Sequence, residues 1–215
     1  MMTQWQAVLL SRPKTMRLLV LFVLLALANT AWAGKPKKEK EVEPYSVGTY
    51  ILGMKLEDLK KVPAPKEAKL SCSHDKKKPK GVGKKWLKLD KVMKATKISR
   101  CNYFVEVDGE FHPSSFYVGT PLEYWLDFIE DKDGEYRLLQ VPISFKDGQA
   151  KQAIDFVMGK YGPPKGDSYN WDNGASKIFI ASDDGKEGII LLTHNKLHEL
   201  SVERMGDTSN NEDHE

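Results

Sequence analysis

Lys76, Lys77, Lys78, Lys80, Lys84, Lys85 and Lys88 crowd around Trp86 in a short stretch of the chain. Ammonium groups at this density neutralise phosphates and carboxylates, and an aromatic ring among them can stack or insert. The stretch is therefore a candidate contact for an anionic partner: lipid phosphate, anionic lipid, a teichoic-type polymer or extracellular DNA. A solvated loop is the simpler reading of such a charge run. Cys72 and Cys101 are the only cysteines. In an oxidising compartment a lone pair forms a bridge, and closing a loop of about 30 residues contributes roughly 3–4 kcal/mol. C-x-x-C spacing, the usual mark of a catalytic redox pair, is missing.

Other chemistry-bearing residues fall short of a site. His194 and His198 stand four apart, a metal-sharing distance on one helix. Here they straddle an expected turn, which would not let them converge. His74 and His112 have no evident partner set. Asp131-Lys132-Asp133-Gly134 opens like a calcium loop, but Pro142 stands where the bidentate glutamate is required, so turn chemistry is the better reading. Ser114 and Ser115 lie in no nucleophile elbow and have no Ser-x-x-Lys companion. Carboxylates are plentiful in the second half, yet no spacing singles out an acid–base pair. The expectation is no catalytic residue, no metal and no cofactor.

Charge is unevenly spread. Residues 1–33 carry three basic side chains and no acidic one, so the remainder is formally neutral although the chain is +3. From residue 34 to 100 there are 20 basic and 8 acidic side chains; from 101 to 215 there are 10 and 22. The two halves either attract each other or present opposite fields to solvent and partners. Overall neutrality argues against a nucleic-acid protein.

Residues 18–28 read LLVLFVLLALA after Arg12, Lys14 and Arg17, and Ala31-Trp32-Ala33 follows. This is the layout of a cleaved signal peptide, with cleavage expected before Gly34. The run is short of the ~20 apolar residues a bilayer span needs. The mature protein is thus expected to be exported, periplasmic rather than fully secreted, with no transmembrane segment after processing.

The secondary-structure elements must position these residues. Residues 34–44 are almost wholly charged and should be a disordered lead-in. Residues 45–52 suit a short strand, 53–62 a partial helix stopped by Pro63 and Pro65, and 68–73 a strand with Leu70 and Cys72 on one face. Pro79, Gly81 and Gly83 make the first part of the lysine stretch a loop. Trp86, Leu89, Val92 and Met93 have near-helical spacing. Strands are expected at 98–107, 111–118, 124–129 and 136–145, with Asp108-Gly109 and the 131–134 segment as turns. Residues 149–161 form the clearest helix, carrying Ala150, Ala153, Ile154, Val157 and Met158 as a stripe, capped by Asp147 and ended by Gly162-Pro163-Pro164. A four-strand meander should come next at 167–171, 176–181, 188–193 and 197–202, turning at Asn173-Gly174, Asp184-Gly185 and His194-Asn195-Lys196. Its single apolar face would be covered by the helix. Residues 204–215 read as a polar tail.

The helix ending in Lys160-Tyr161-Gly162-Pro163-Pro164, then Trp171 and the apolar strands Ile178-Phe179-Ile180 and Ile189-Ile190-Leu191-Leu192, resembles BamE/SmpA–OmlA-like domains. The related β-lactamase-inhibitor-protein fold sets two such units in tandem, and Ile51-Leu52-Gly53-Met54-Lys55-Leu56 looks like the start of the first. The resemblance implies an α+β fold of two helix-plus-antiparallel-sheet units, 45–118 and 121–203, behind the signal peptide. It also implies a binding or assembly module of the cell envelope without a reaction of its own. The lipid anchor usual in BamE is missing. The partner is expected to be an envelope protein or an anionic envelope component. A proteinaceous enzyme inhibitor and a hydrolase with an unrecognised acidic site are the alternatives.

Overall fold

A computed structural model describes residues 42–212 apart from residues 66, 167 and 184–186. The expected signal peptide, most of the charged lead-in and the Asp184-Gly185 turn lie outside the described residues. Two very short strands, β1 (Ser46–Val47) and β2 (Tyr50–Ile51), pair with each other and lead into a one-turn helix, α1 (Leu56–Leu59). Strand β3 (Lys69–Cys72) is followed by α2 (Val82–Lys85) and α3 (Lys91–Ala95). Strands β4 (Ile98–Val107), β5 (Glu110–Pro113), β6 (Ser115–Tyr117), β7 (Pro121–Tyr124), β8 (Leu126–Glu130) and β9 (Tyr136–Phe145) come next. Helix α4 (Ala150–Tyr161), strands β10 (Asn170–Asp172), β11 (Ser176–Asp183) and β12 (Glu187–His194), and helix α5 (Asn195–Glu212) complete the chain.

The fold is α+β, and β3 to β12 form one antiparallel ten-stranded sheet. Its main path runs β10-β11-β12-β9-β8-β4-β3, with β5 on β4, and β7 joining β6 to β9. Strands from both expected segments lie in this one sheet, joined where β4 pairs with β8 and where β6 pairs with β7. Asp108 and Gly109, both at positive φ (51° and 79°), make the tight β4–β5 turn. That geometry is the one a two-residue hairpin requires. Asp131 fixes the β8–β9 hairpin by accepting the amides of Asp133 and Glu135, each at 2.9 Å.

One sheet face carries the larger core. Leu126, Phe128, Leu138, Ile143, Ile178, Ile190 and Leu192 project from it under Ala153 and Val157 of α4 and under Val47, Leu52, Leu56 and Leu59. Gly162, at φ 80°, ends α4, and its carbonyl accepts the Trp171 indole N–H at 2.9 Å. The Tyr-Gly-Pro turn is thereby tied to the sheet. The start of α4 departs from expectation: Gln149, not Asp147, occupies the cap position, and its side chain turns back to accept the Lys146 amide at 2.9 Å.

Two further corrections concern the opposite face and the last element. The sheet has apolar residues on both faces: Ile98, Ile129 and Leu139 lie under Met93, Leu197 and Leu200, while Phe104 lies under Val82 and Leu87. The expected fourth strand at 197–202, the turn before it and part of the polar tail are a single helix, α5. Leu197, Leu200, Ser201 and Arg204 fall at the i, i+3, i+4, i+7 spacing of one helix side, and alternation along a strand would have put Leu197 beside Glu199. Leu197, Leu200 and Ser201 are buried, and Arg204 Nη1 donates to the Thr96 carbonyl at 3.1 Å.

Candidate functional site: a pinned lysine segment and an open sheet face

Cys72 and Cys101 stand opposite each other on β3 and β4 and are bonded, S–S 2.01 Å, as expected. This bond fixes the point where the lysine segment leaves the sheet. Just past it the Asp75 carboxylate accepts the Cys72 amide at 2.7 Å, and the Asp75 amide donates to the Cys72 carbonyl at 3.2 Å, closing a turn. At the far end Val82 and Leu87 are buried against Phe104. The Trp86 indole N–H donates to the Phe111 carbonyl at 3.2 Å. Trp86 is half-buried and takes the Lys85 ammonium over its ring at 5.0 Å. The ring is thus an internal anchor for the segment, a role its position among lysines did not reveal.

Between these two pins the lysines divide into tied and untied. Lys78 donates to the Asp75 carbonyl, and Lys85 reaches Glu110 at 3.4 Å. Lys76, Lys77, Lys80, Lys84 and Lys88 are exposed and make no hydrogen bond or ion pair with any described residue. Lys80, Lys84 and Lys85 come together with Gly81, Phe111 and Glu110 around a surface cavity of about 540 Å³. The disulfide and all eight residues singled out on the sequence therefore belong to one substructure.

The histidines do other work. His74 stacks on Tyr136, centroids 4.5 Å apart, and its Nδ1 meets Ser99 Oγ. Cys72, His74 and Asp75 cluster as metal ligands would, but the Cys72 sulfur is already in the disulfide. Burial pulls the His74 pKa below the ordinary histidine value. His194 ends β12, and its Nδ1 accepts the Leu197 amide at 3.4 Å, while His198 is exposed on α5. Three carboxylates of the sheet and its β8–β9 turn are engaged in ion pairs: Asp127 with Arg100, Asp131 with Arg137, and Glu135 with Lys55.

Sequence reasoning missed a second feature. On the face that carries α2, α3 and α5, cross-strand pairing sets Phe179 beside Leu191 and Leu191 beside Pro142. The Trp125 amide donates to the Pro142 carbonyl at 3.0 Å, extending the row to the β7–β8 junction. Phe179 is 48% exposed, and Leu191 and Trp125 are half-buried. Beside the row Arg100 makes a two-pronged bond to the fully buried Asp127, Nε at 2.8 Å and Nη2 at 3.0 Å, and Gln140 donates to the same carboxylate at 3.0 Å. The signal for this face was the unbroken run Ile189-Ile190-Leu191-Leu192. A half-buried antiparallel strand alternates, so four consecutive apolar residues announce apolar character on both sides.

No protein-family model matches the chain, and no curated protein and no solved structure matches it.

Proposed function

We propose that this is an exported protein of the cell envelope, periplasmic rather than fully secreted, that binds or helps assemble a partner and carries out no reaction of its own. The observation that carries this reading is the lysine segment. Five ammonium groups without partners among the described residues are held on a stretch pinned by a disulfide and a Trp86 anchor. Leaving so many like charges uncompensated close together is unfavourable for the free protein, and an anionic partner relieves it. That partner is an envelope protein or an anionic envelope component. The bonded cysteine pair supports an oxidising compartment. No described helix is long and apolar enough to cross a membrane. The sequence resemblance of Lys160-Tyr161-Gly162-Pro163-Pro164 and the apolar runs after it to BamE-like domains supports the same class of role. The enzyme-inhibitor alternative draws on the exposed Phe179 of the open sheet face.

The test replaces Lys76, Lys77, Lys80, Lys84 and Lys88 together with glutamine. Retention on phosphatidylglycerol vesicles and on immobilised polyglutamate is then measured over a salt series. The expected result is an affinity at least roughly tenfold weaker on one or both surfaces, with a shallower salt dependence. Unchanged retention on both surfaces refutes the reading.

A further inference from the structure

Two separate parts of the chain build the cavity beside the lysine segment. Lys80, Lys84 and Lys85 come from the segment, and Glu110 and Phe111 from the start of β5. The frame between them is fixed. Val82 and Leu87 are buried against Phe104, and the Trp86 indole N–H donates to the Phe111 carbonyl at 3.2 Å. Gly81 and Gly109 make bare stretches of the wall. Both lie at positive φ, 84° and 79°, and nothing stands within 4 Å of where a Cβ would be. The space of about 540 Å³ is thus held open by backbone that is anchored on either side.

The charges lining this cavity do not cancel. Lys80 and Lys84 are exposed and untied. Lys85 meets Glu110 at 3.4 Å with both side chains more than half exposed, and so open an ion pair is readily exchanged for a better partner. Three ammonium groups therefore surround one carboxylate, an excess of two positive charges. Beyond the lining, Glu106 stands opposite Phe111 on β4, and Asp108 precedes Gly109 in the turn. They are matched in number by two more lysines. Lys69 Nζ stands 5.7 Å from the Phe111 ring centre, and the Lys78 side chain passes beside Gly83. A carboxylate or a phosphodiester brings one negative charge and leaves half of the excess in place. A phosphate monoester carries about −1.5 to −2 near neutral pH, with three oxygens to accept from three ammonium groups. The half-buried Phe111 ring offers an apolar wall to whatever the phosphate is attached to.

We propose that this cavity binds a phosphate monoester, with Lys80, Lys84 and Lys85 on the phosphate oxygens and Phe111 against the organic group. The proposal rests on the reading that the lysine segment takes an anionic partner, and it names the group that is recognised. A soluble molecule or a lipid headgroup can carry that group, and the chemistry at the cavity is the same for both. Lys76 and Lys77 do not line the cavity, so they add to the general attraction without taking part in the recognition.

The soluble probe is phenyl phosphate, with phenylacetate as a singly charged control of similar body. Each is titrated into the folded chain while the amides of Gly109, Glu110 and Phe111 and the Trp86 indole N–H are followed by NMR. The lipid probe is a vesicle containing phosphatidic acid, a monoester, beside one containing phosphatidylglycerol, a diester. Saturable shifts that favour the monoester are expected. Lys80→Gln/Lys84→Gln should weaken the monoester about tenfold. Lys76→Gln/Lys77→Gln removes the same charge outside the cavity and should leave it nearly unchanged. All four lysines are exposed, so neither variant disturbs the core. A preference for phosphatidic acid that only the first variant loses assigns the ester to a lipid. Shifts with phenyl phosphate without that preference assign it to a soluble molecule. The proposal is overturned if phenyl phosphate binds no better than phenylacetate and phosphatidic acid no better than phosphatidylglycerol, or if the two double variants bind the monoester equally. The underlying reading survives that failure when the five-lysine glutamine variant still loses retention on phosphatidylglycerol or polyglutamate, and unchanged retention there refutes the reading itself.

Discussion

Gly53 links two distant parts of the chain through the absence of a side chain. It holds φ 84°, and a Cβ at this position would come within 2.9 Å of the His194 ring. Its amide donates to the Leu138 carbonyl at 2.8 Å, so the backbone is fixed from both sides. Alanine here combines a left-handed backbone with a clash against a ring that is itself packed. Gly53→Ala should lower stability by about 1–3 kcal/mol in urea titrations. Gly159 is the counterexample, lying within α4 at an ordinary helical φ, with nothing within 4 Å of where a methyl group would sit. Gly159→Ala should therefore stabilise by about 0.5–1 kcal/mol. Two Gly→Ala changes with opposite signs distinguish a glycine needed for close approach from one merely tolerated. A helix was expected over 53–62, but Gly53 and Met54 lie in the turn before α1, which spans only Leu56–Leu59; the real constraint on Gly53 is an imidazole more than a hundred residues away, which no local pattern encodes.

Helix α5 begins where β12 ends, and His194 serves both. Its Nδ1 must be unprotonated to accept the Leu197 amide. Burial, then Lys196 and Arg137, push its pKa below the ordinary histidine value. The unfolded chain therefore takes up the proton first as pH falls, and the stability contributed by neutral His194 is complete above about pH 6.5 and lost as pH drops below it toward the folded pKa. His74 is shifted the same way, so the test is a comparison. In chemical denaturation between pH 7.5 and 5, roughly the range in which a histidine titrates, a His194→Asn variant should lose less stability than the parent. Equal losses would remove His194 from the account. At this scale the sequence was read well where one period dominated: α4, β9, β11 and β12 lie close to where apolar spacing put them. It was misread at α5 because Leu197, Leu200 and Val202 suit a short strand as easily as a helix. Burial of Leu197 and Leu200 against the sheet, with Arg204 reaching Thr96 and Glu203 reaching Lys132, decides it, and these contacts are tertiary. The open sheet face was hidden for a related reason, since an all-apolar run does not say which of its side chains a helix will cover.

The whole molecule depends on a sheet whose edge strand β3 pairs only with β4. The Cys72–Cys101 bond closes that edge and sets the take-off of the lysine segment. A Cys72→Ser/Cys101→Ser double variant should be less stable by about 3–4 kcal/mol, with faster hydrogen exchange at the β3 amides than at those of β11 or β12. Uniform exchange across all of these strands would mean that the bond does not act locally. The other end of the described chain is held by more distant partners. The Asn173 side-chain amide donates to the Glu43 carbonyl at 2.9 Å, and the Tyr45 amide donates to Ser176 Oγ at 2.7 Å. Lys160 and Tyr161 both donate to the Ser46 carbonyl. Residues 43–46 thus take part of their seat from residues 114 to 131 positions later, beside the local pairing of β1 with β2. Closing loops of that length is slow, so residues 43–46 reach their final contacts only after the strands and helix that hold them have formed.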